Sequence, residues 1–174
     1  MGEERTGGEK KTINGGKINR MENGKNHSLL GGEIKNMIDG TINLLNGGHI
    51  AFIADGLIRD MQSGSIQNMT GGEIADLSGG TIANLNDGSI IVMNGGTITD
   101  MKNGEVTVMN DGIIGSFEGG SIVTMNDGSI DYLKGGTIDT LAGGTIDQMI
   151  QGRIEDMTGG TIAHFEDGYI ESID

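Results

Sequence analysis

Three histidines, His27, His49 and His164, have the chemistry for metal ligation or proton transfer, and six Asp-Gly steps carry carboxylates: Asp39, Asp55, Asp87, Asp111, Asp127 and Asp167. A zinc site needs three or four convergent ligands, and calcium needs more oxygens still. Repeated Gly-Gly and Asp bring to mind calcium-binding β-rolls, but those repeat every nine residues around a Gly-x-Asp unit, a spacing absent here. Each Asp is expected to serve a turn instead. The Gly-Gly pairs could cradle a phosphate, but no Gly-x-Gly-x-x-Gly opens a helix and no Lys-Ser/Thr follows. Threonines Thr41, Thr81, Thr97, Thr137, Thr145 and Thr161 recur at one repeat position, interrupted by Glu, Ser, Lys, His, Leu and Tyr. An ice-binding or adhesive face would want a longer regular array; only Thr97 and Thr99 stand at alternate positions. No Ser-His-Asp set or isolated carboxylate pair stands out. The expectation is a non-enzymatic protein with no cofactor, metal or small-molecule substrate.

What these residues share is their spacing. From Thr6 to Ile173 the chain divides into 21 consecutive octads without insertion or deletion. Position three is Gly in all 21, and position two is Gly in eleven and otherwise Asp, Asn, Ser or Gln. Position five is Ile in eighteen and Val at Val106; only Lys10 and Asn26 differ. Position eight is always apolar: ten Met, six Leu, three Ile and two Phe. Asn94-Gly95-Gly96-Thr97-Ile98-Thr99-Asp100-Met101 is a typical unit. The histidines fall at positions six, four and seven, so they share no ladder. Their positions point outward.

The elements that must carry this pattern are short strands. With 34 Gly, no Pro, Cys or Trp and only five aromatic residues, neither a helical core nor a collagen helix fits. Gly accepts positive φ, so Gly-Gly, Asn-Gly and Asp-Gly mark corners. Thr-Ile-x-x-Met between corners reads as an extended segment with Ile and Met inward, and a bend between them breaks strict alternation. One octad cannot bury its own apolar residues, so octads must stack into an all-β solenoid, or β-helix. The corner ladder is then Gly96, Gly104, Gly112, Gly120, Gly128 and Gly136. The core ladders are Ile90, Ile98 and Ile122 beside Met93, Met101 and Met125.

Three closures fit: three octads per coil in one chain, two octads per coil in one chain, or three chains each giving one octad per layer. Position eight shows no period longer than the octad, which favours equivalent octads and an intertwined homotrimer. The alternative carried forward is a single-chain triangular solenoid of seven 24-residue coils. The uninterrupted octads, each with one fixed Gly and one β-branched apolar residue, resemble the triple-stranded β-helical needles and fibres of phage tails. That resemblance, over Thr6 to Ile173, implies a rigid trimeric shaft of a phage tail or phage-like particle.

Charge is unevenly spread. The net charge is −14, yet residues 1–35 hold seven basic and five acidic residues, against four and twenty in the remainder. An acidic shaft repels nucleic acid and anionic membrane, so neither is an expected partner. The start, Met1-Gly2-Glu3-Glu4-Arg5, has no signal-peptide core, so synthesis in the cytoplasm and later release with a particle is expected. Lys10 and Asn26 in the Ile column, with His27 after it, predict an irregular attachment region over residues 1–28 and a regular solenoid over 29–174. No cap sequence is visible before Ile173-Asp174. Open strand edges therefore predict self-association, with Lys10, Lys11 and Lys17 of one copy against Glu166, Asp167 and Glu171 of the next in a head-to-tail filament.

Overall fold

The computed structural model describes residues 3–174, and the side chains of Glu3, Glu4, Arg5, Lys10 and Lys11 lie outside that description. Sixteen strands and no helix make up the described residues, and every pairing between strands is parallel. The expected all-β solenoid is the fold. Its coil is sixteen residues long: Ile122 pairs with Ile138, which pairs with Ile154, which pairs with Ile170. On the opposite sheet Ile98, Ile114, Ile130, Ile146 and Ile162 stand in one ladder.

Odd-numbered octads thus stack on one face and even-numbered octads on the other, two per coil. Some strands run straight through the corners, as in Leu57–Leu77 and Thr81–Met101, because the ladder continues there. The Thr97 N–H donates to the Gly80 carbonyl at 2.9 Å, and the Ser78 N–H to the Met61 carbonyl at 2.9 Å. At ~4.8 Å per layer the rod is roughly 50 Å long.

The seven 24-residue coils expected as one alternative are replaced by this sixteen-residue coil. The reason lies in the core. Two sheets facing each other about 10 Å apart leave a slot that two Ile and two position-eight side chains fill in each layer. Ile90, Met93, Ile98, Met101, Ile122 and Met125 are all fully buried. A triangular coil would pair residues 24 apart, Ile98 with Ile122, whereas Ile98 pairs with Ile114 and Ile122 with Val106 and Ile138. The intertwined trimer would pair octads of different chains. Here each inner strand already has both neighbours from its own chain, sixteen residues before and after it.

The corners explain the invariant glycine. Gly96, Gly104, Gly112, Gly120, Gly128 and Gly136 have φ between 76° and 108°, the region a Cβ penalises. A Cβ would also strike the coil below: at Gly112 it would stand 2.6 Å from the Met93 methyl and 2.9 Å from the Gly96 carbonyl oxygen. The methionine ends therefore occupy the space that missing side chains at the corners provide. Asp at position two has a local task. Its Oδ1 accepts the following Gly N–H, at 2.8 Å in Asp87-Gly88 and 2.7 Å in Asp111-Gly112.

Of the irregular stretch expected over residues 1–28, the described residues show a register shift at Glu3/Glu4 and an altered corner at Asn23-Gly24, where Asn23 and not the glycine has positive φ, 54°. Lys17–Glu22 and Gly24–Leu29 are strands in the same sixteen-residue register as the rest. Asn26 takes the Ile place in the ladder, 1% exposed, and its amide donates to the Met21 sulfur at 3.0 Å. A buried amide is tolerated in the core because it is hydrogen-bonded.

Candidate interaction faces

Among the described residues positions four, six and seven of the octads project outward, the buried Ser116 excepted, so the sixteen-residue coil builds two faces from residues far apart in sequence. On the odd face Glu9, Lys25 and Thr41 stand in one column and His27, Asn43 and Arg59 in the next, and these six line an open depression of about 320 Å³. His27 Nδ1 lies 3.5 Å from Glu9 Oε1. Sequence reasoning missed this cluster, since only a known coil length brings Glu9 and Arg59 together.

Further along the odd face the chemistry changes. Val92, Val108 and Thr124 stack on one another, beside Ile91, Thr107 and Val123 in the adjoining column. Toward the C-terminal end acidic residues follow: Asp139, Glu155, Asp156 and Glu171. There Arg153 pairs with both Glu155 and Glu171, and its guanidinium lies 5.4 Å from the centre of the Tyr169 ring.

The even face carries fewer charges and exposes Ile113 and Tyr132. Its edge carries an amide ladder: Asn110 Nδ2 donates to Asn94 Oδ1 and Asn126 Nδ2 to Asn110 Oδ1, both at 2.9 Å. His49 Nδ1 lies 2.9 Å from Ser65 Oγ on the same face. His27 and His49 therefore stand on opposite faces, because one belongs to an odd octad and the other to an even one. The threonines divide as well: Thr41 and Thr137 belong to the odd face, and Thr81, Thr97, Thr145 and Thr161 to the even face. Among the described residues no group of three or more His, Asp or Glu is placed to hold a metal ion.

The residues expected at an end-to-end contact are placed as follows. Lys10 and Lys11 lie outside the described side chains. Lys17 reaches Glu33 in the next layer at 3.0 Å, and Glu171 is taken up by Arg153. Asp167 Oδ1 accepts the Gly168 N–H at 2.8 Å, while Glu166 is exposed at the last corner. In that last coil Phe165, Tyr169 and Ile173 are 54%, 55% and 69% exposed. The chain matches no protein-family model and no curated protein.

Proposed function

We propose that the chain is a structural, non-enzymatic element: a rigid β-solenoid shaft. On the octad resemblance its setting is a phage tail or phage-like particle. The observation that carries this reading is the unbroken sixteen-residue ladder, from Lys17↔Glu33 to Met157↔Ile173. Every inward residue and every corner serves stacking, and such quasi-one-dimensional stacks are stiff along their axis. Small-angle scattering tests it. The expected particle is elongated, roughly 50 Å per chain, at 4.8 Å per layer. Limited proteolysis should leave the inner coils intact while the termini are trimmed. A globular scattering profile, or rapid cleavage at Gly-Gly corners throughout, contradicts the reading.

A second reading, filament growth by stacking of ends, is favoured by Phe165 and Ile173, which hold the inward position eight yet are exposed on the last coil. The proposed occupant of that surface is the first coil of another copy. Since Lys17 and Glu171 are engaged within the chain, burial of these apolar groups supplies the affinity rather than charge. Light scattering at rising concentration should show rods lengthening in steps of about one chain. Constant length at every concentration removes this reading and leaves the shaft.

A further inference from the structure

The position-six column of the odd face has three zones along the rod. His27 and Arg59 stand in its N-terminal part. Ala75, Ile91, Thr107 and Val123 make an uncharged middle, widened by Val92 and Val108 in the next column. Asp139, Glu155 and Glu171 close it. Ile91 is 36% exposed, among the short side chains of Ala75, Thr107, Val123, Val92 and Val108. Among the described residues neither Arg59 nor Asp139 makes an ion pair within the chain.

We propose that this face binds a second copy of the chain, laid antiparallel to the first. A two-fold axis parallel to the strands, passing between the layer of Ile91 and the layer of Thr107, makes the face complementary to itself. Ile91 then meets Thr107, Val92 meets Val108, and Ala75 meets Val123. Arg59 meets Asp139, His27 meets Glu171, and Lys25 meets Tyr169. In the position-four column Glu73 meets Ser121 and Glu105 meets Ser89, so no like charges stand opposed. Such an isologous contact needs one patch only.

The competing arrangements are worse by the same residues. A parallel pairing of the same faces sets Arg59 on Arg59 and Asp139 on Asp139, and like-charge juxtaposition selects against it. An antiparallel axis one half-layer away sets Glu73 opposite Glu105. The footprint is adequate. Ten overlapping layers of five-residue strands cover roughly 48 by 16 Å, about 800 Å² per partner, the usual size of a specific interface. The pairing uses only the faces and does not depend on a fibre role.

The chain has no Cys, so single thiols can be placed at will. Ala75→Cys and Val123→Cys, mixed and treated with a bis-maleimide of about 10 Å reach, the usual sheet separation, should cross-link efficiently to twice the 18.1 kDa chain mass. Either variant alone should cross-link poorly. Sedimentation equilibrium should show a monomer–dimer equilibrium that Val108→Lys weakens at least tenfold, with the β-sheet circular dichroism unchanged. Arg59→Asp should weaken it as well, and adding Asp139→Arg in the same chain should restore it. Self-cross-linking of either variant alone, or a mass of 18.1 kDa at all concentrations, overturns the proposal. So does failure of Asp139→Arg to rescue. None of these outcomes alters the elongated scattering expected of the shaft, so the two readings fail separately.

Discussion

Gly95 and Gly96 show how different two adjacent glycines are. Gly96 has φ +80°, and a Cβ there would have backbone atoms of Gly79 and Gly80, in the coil below, within 3.3 Å. Gly95 has an ordinary φ, but a Cβ there would stand 2.8 Å from the Ser78 carbonyl oxygen. The octads with Asp at position two avoid that approach by a corner in which the carboxylate takes the next N–H. Gly95→Asp therefore requires a local change of corner, whereas Gly96→Val forces a β-branched residue to positive φ. Strain of this kind costs about 1–3 kcal/mol. Gly96→Val should lower Tm by about 2–12 °C and Gly95→Asp by clearly less, since each kcal/mol shifts a chain this size by about 2–4 °C. Equal losses in a thermal melt count against the corner assignment. Met125 gives a second residue-scale prediction. It is fully buried and its ladder neighbour is Leu141. Met125→Leu should cost under about 1.5 kcal/mol, and Met125→Ala about 2–5 kcal/mol through the cavity it leaves. Denaturant titration checks both.

At the scale of the element, strand and corner are legible in the sequence and coil length is not. The eight-residue period, the invariant Gly and the apolar positions five and eight dictate strand, corner and inward face directly. Two sheets facing one slot bury the same residue types, however, so the inward columns carry no trace of which octads belong to which sheet. The trace lies outside. Asn14, Asn46, Asn94, Asn110 and Asn126 all open even octads, whereas only Asn86 opens an odd one. Gly at position two is commoner in even octads than in odd ones. Asn94, Asn110 and Asn126 form the amide ladder, a contact possible only if residues sixteen apart are stacked. Asn110 both donates and accepts in that ladder, so Asn110→Ala removes two exposed hydrogen bonds worth about 1 kcal/mol together. The expected result is a Tm lower by about 2–4 °C, with Asn110→Gln recovering part of it. No change on Asn110→Ala means the ladder adds nothing in water. Asn26 looks like a break in the Ile column, but one hydrogen-bonded amide fits a column whose other members hold the register.

For the whole molecule, a coil of sixteen residues closed within one chain sets the two faces, the charge zones and the rod length. Thr41 and Thr137 occupy the same octad position on the same face, 96 residues apart, and both are uncharged and partly exposed. Spin labels on Thr41→Cys and Thr137→Cys, in labelled protein diluted with unlabelled chain, measure the layers between them by dipolar spectroscopy. Sixteen residues per coil sets six layers and about 29 Å between the backbones, at 4.8 Å per layer. A coil of 24 residues sets four layers, about 19 Å, and a three-chain helix with one octad per layer sets twelve, about 58 Å. A single narrow distribution near 29 Å is the predicted result; one centred near 19 Å or 58 Å contradicts the two-octad coil and the faces built on it.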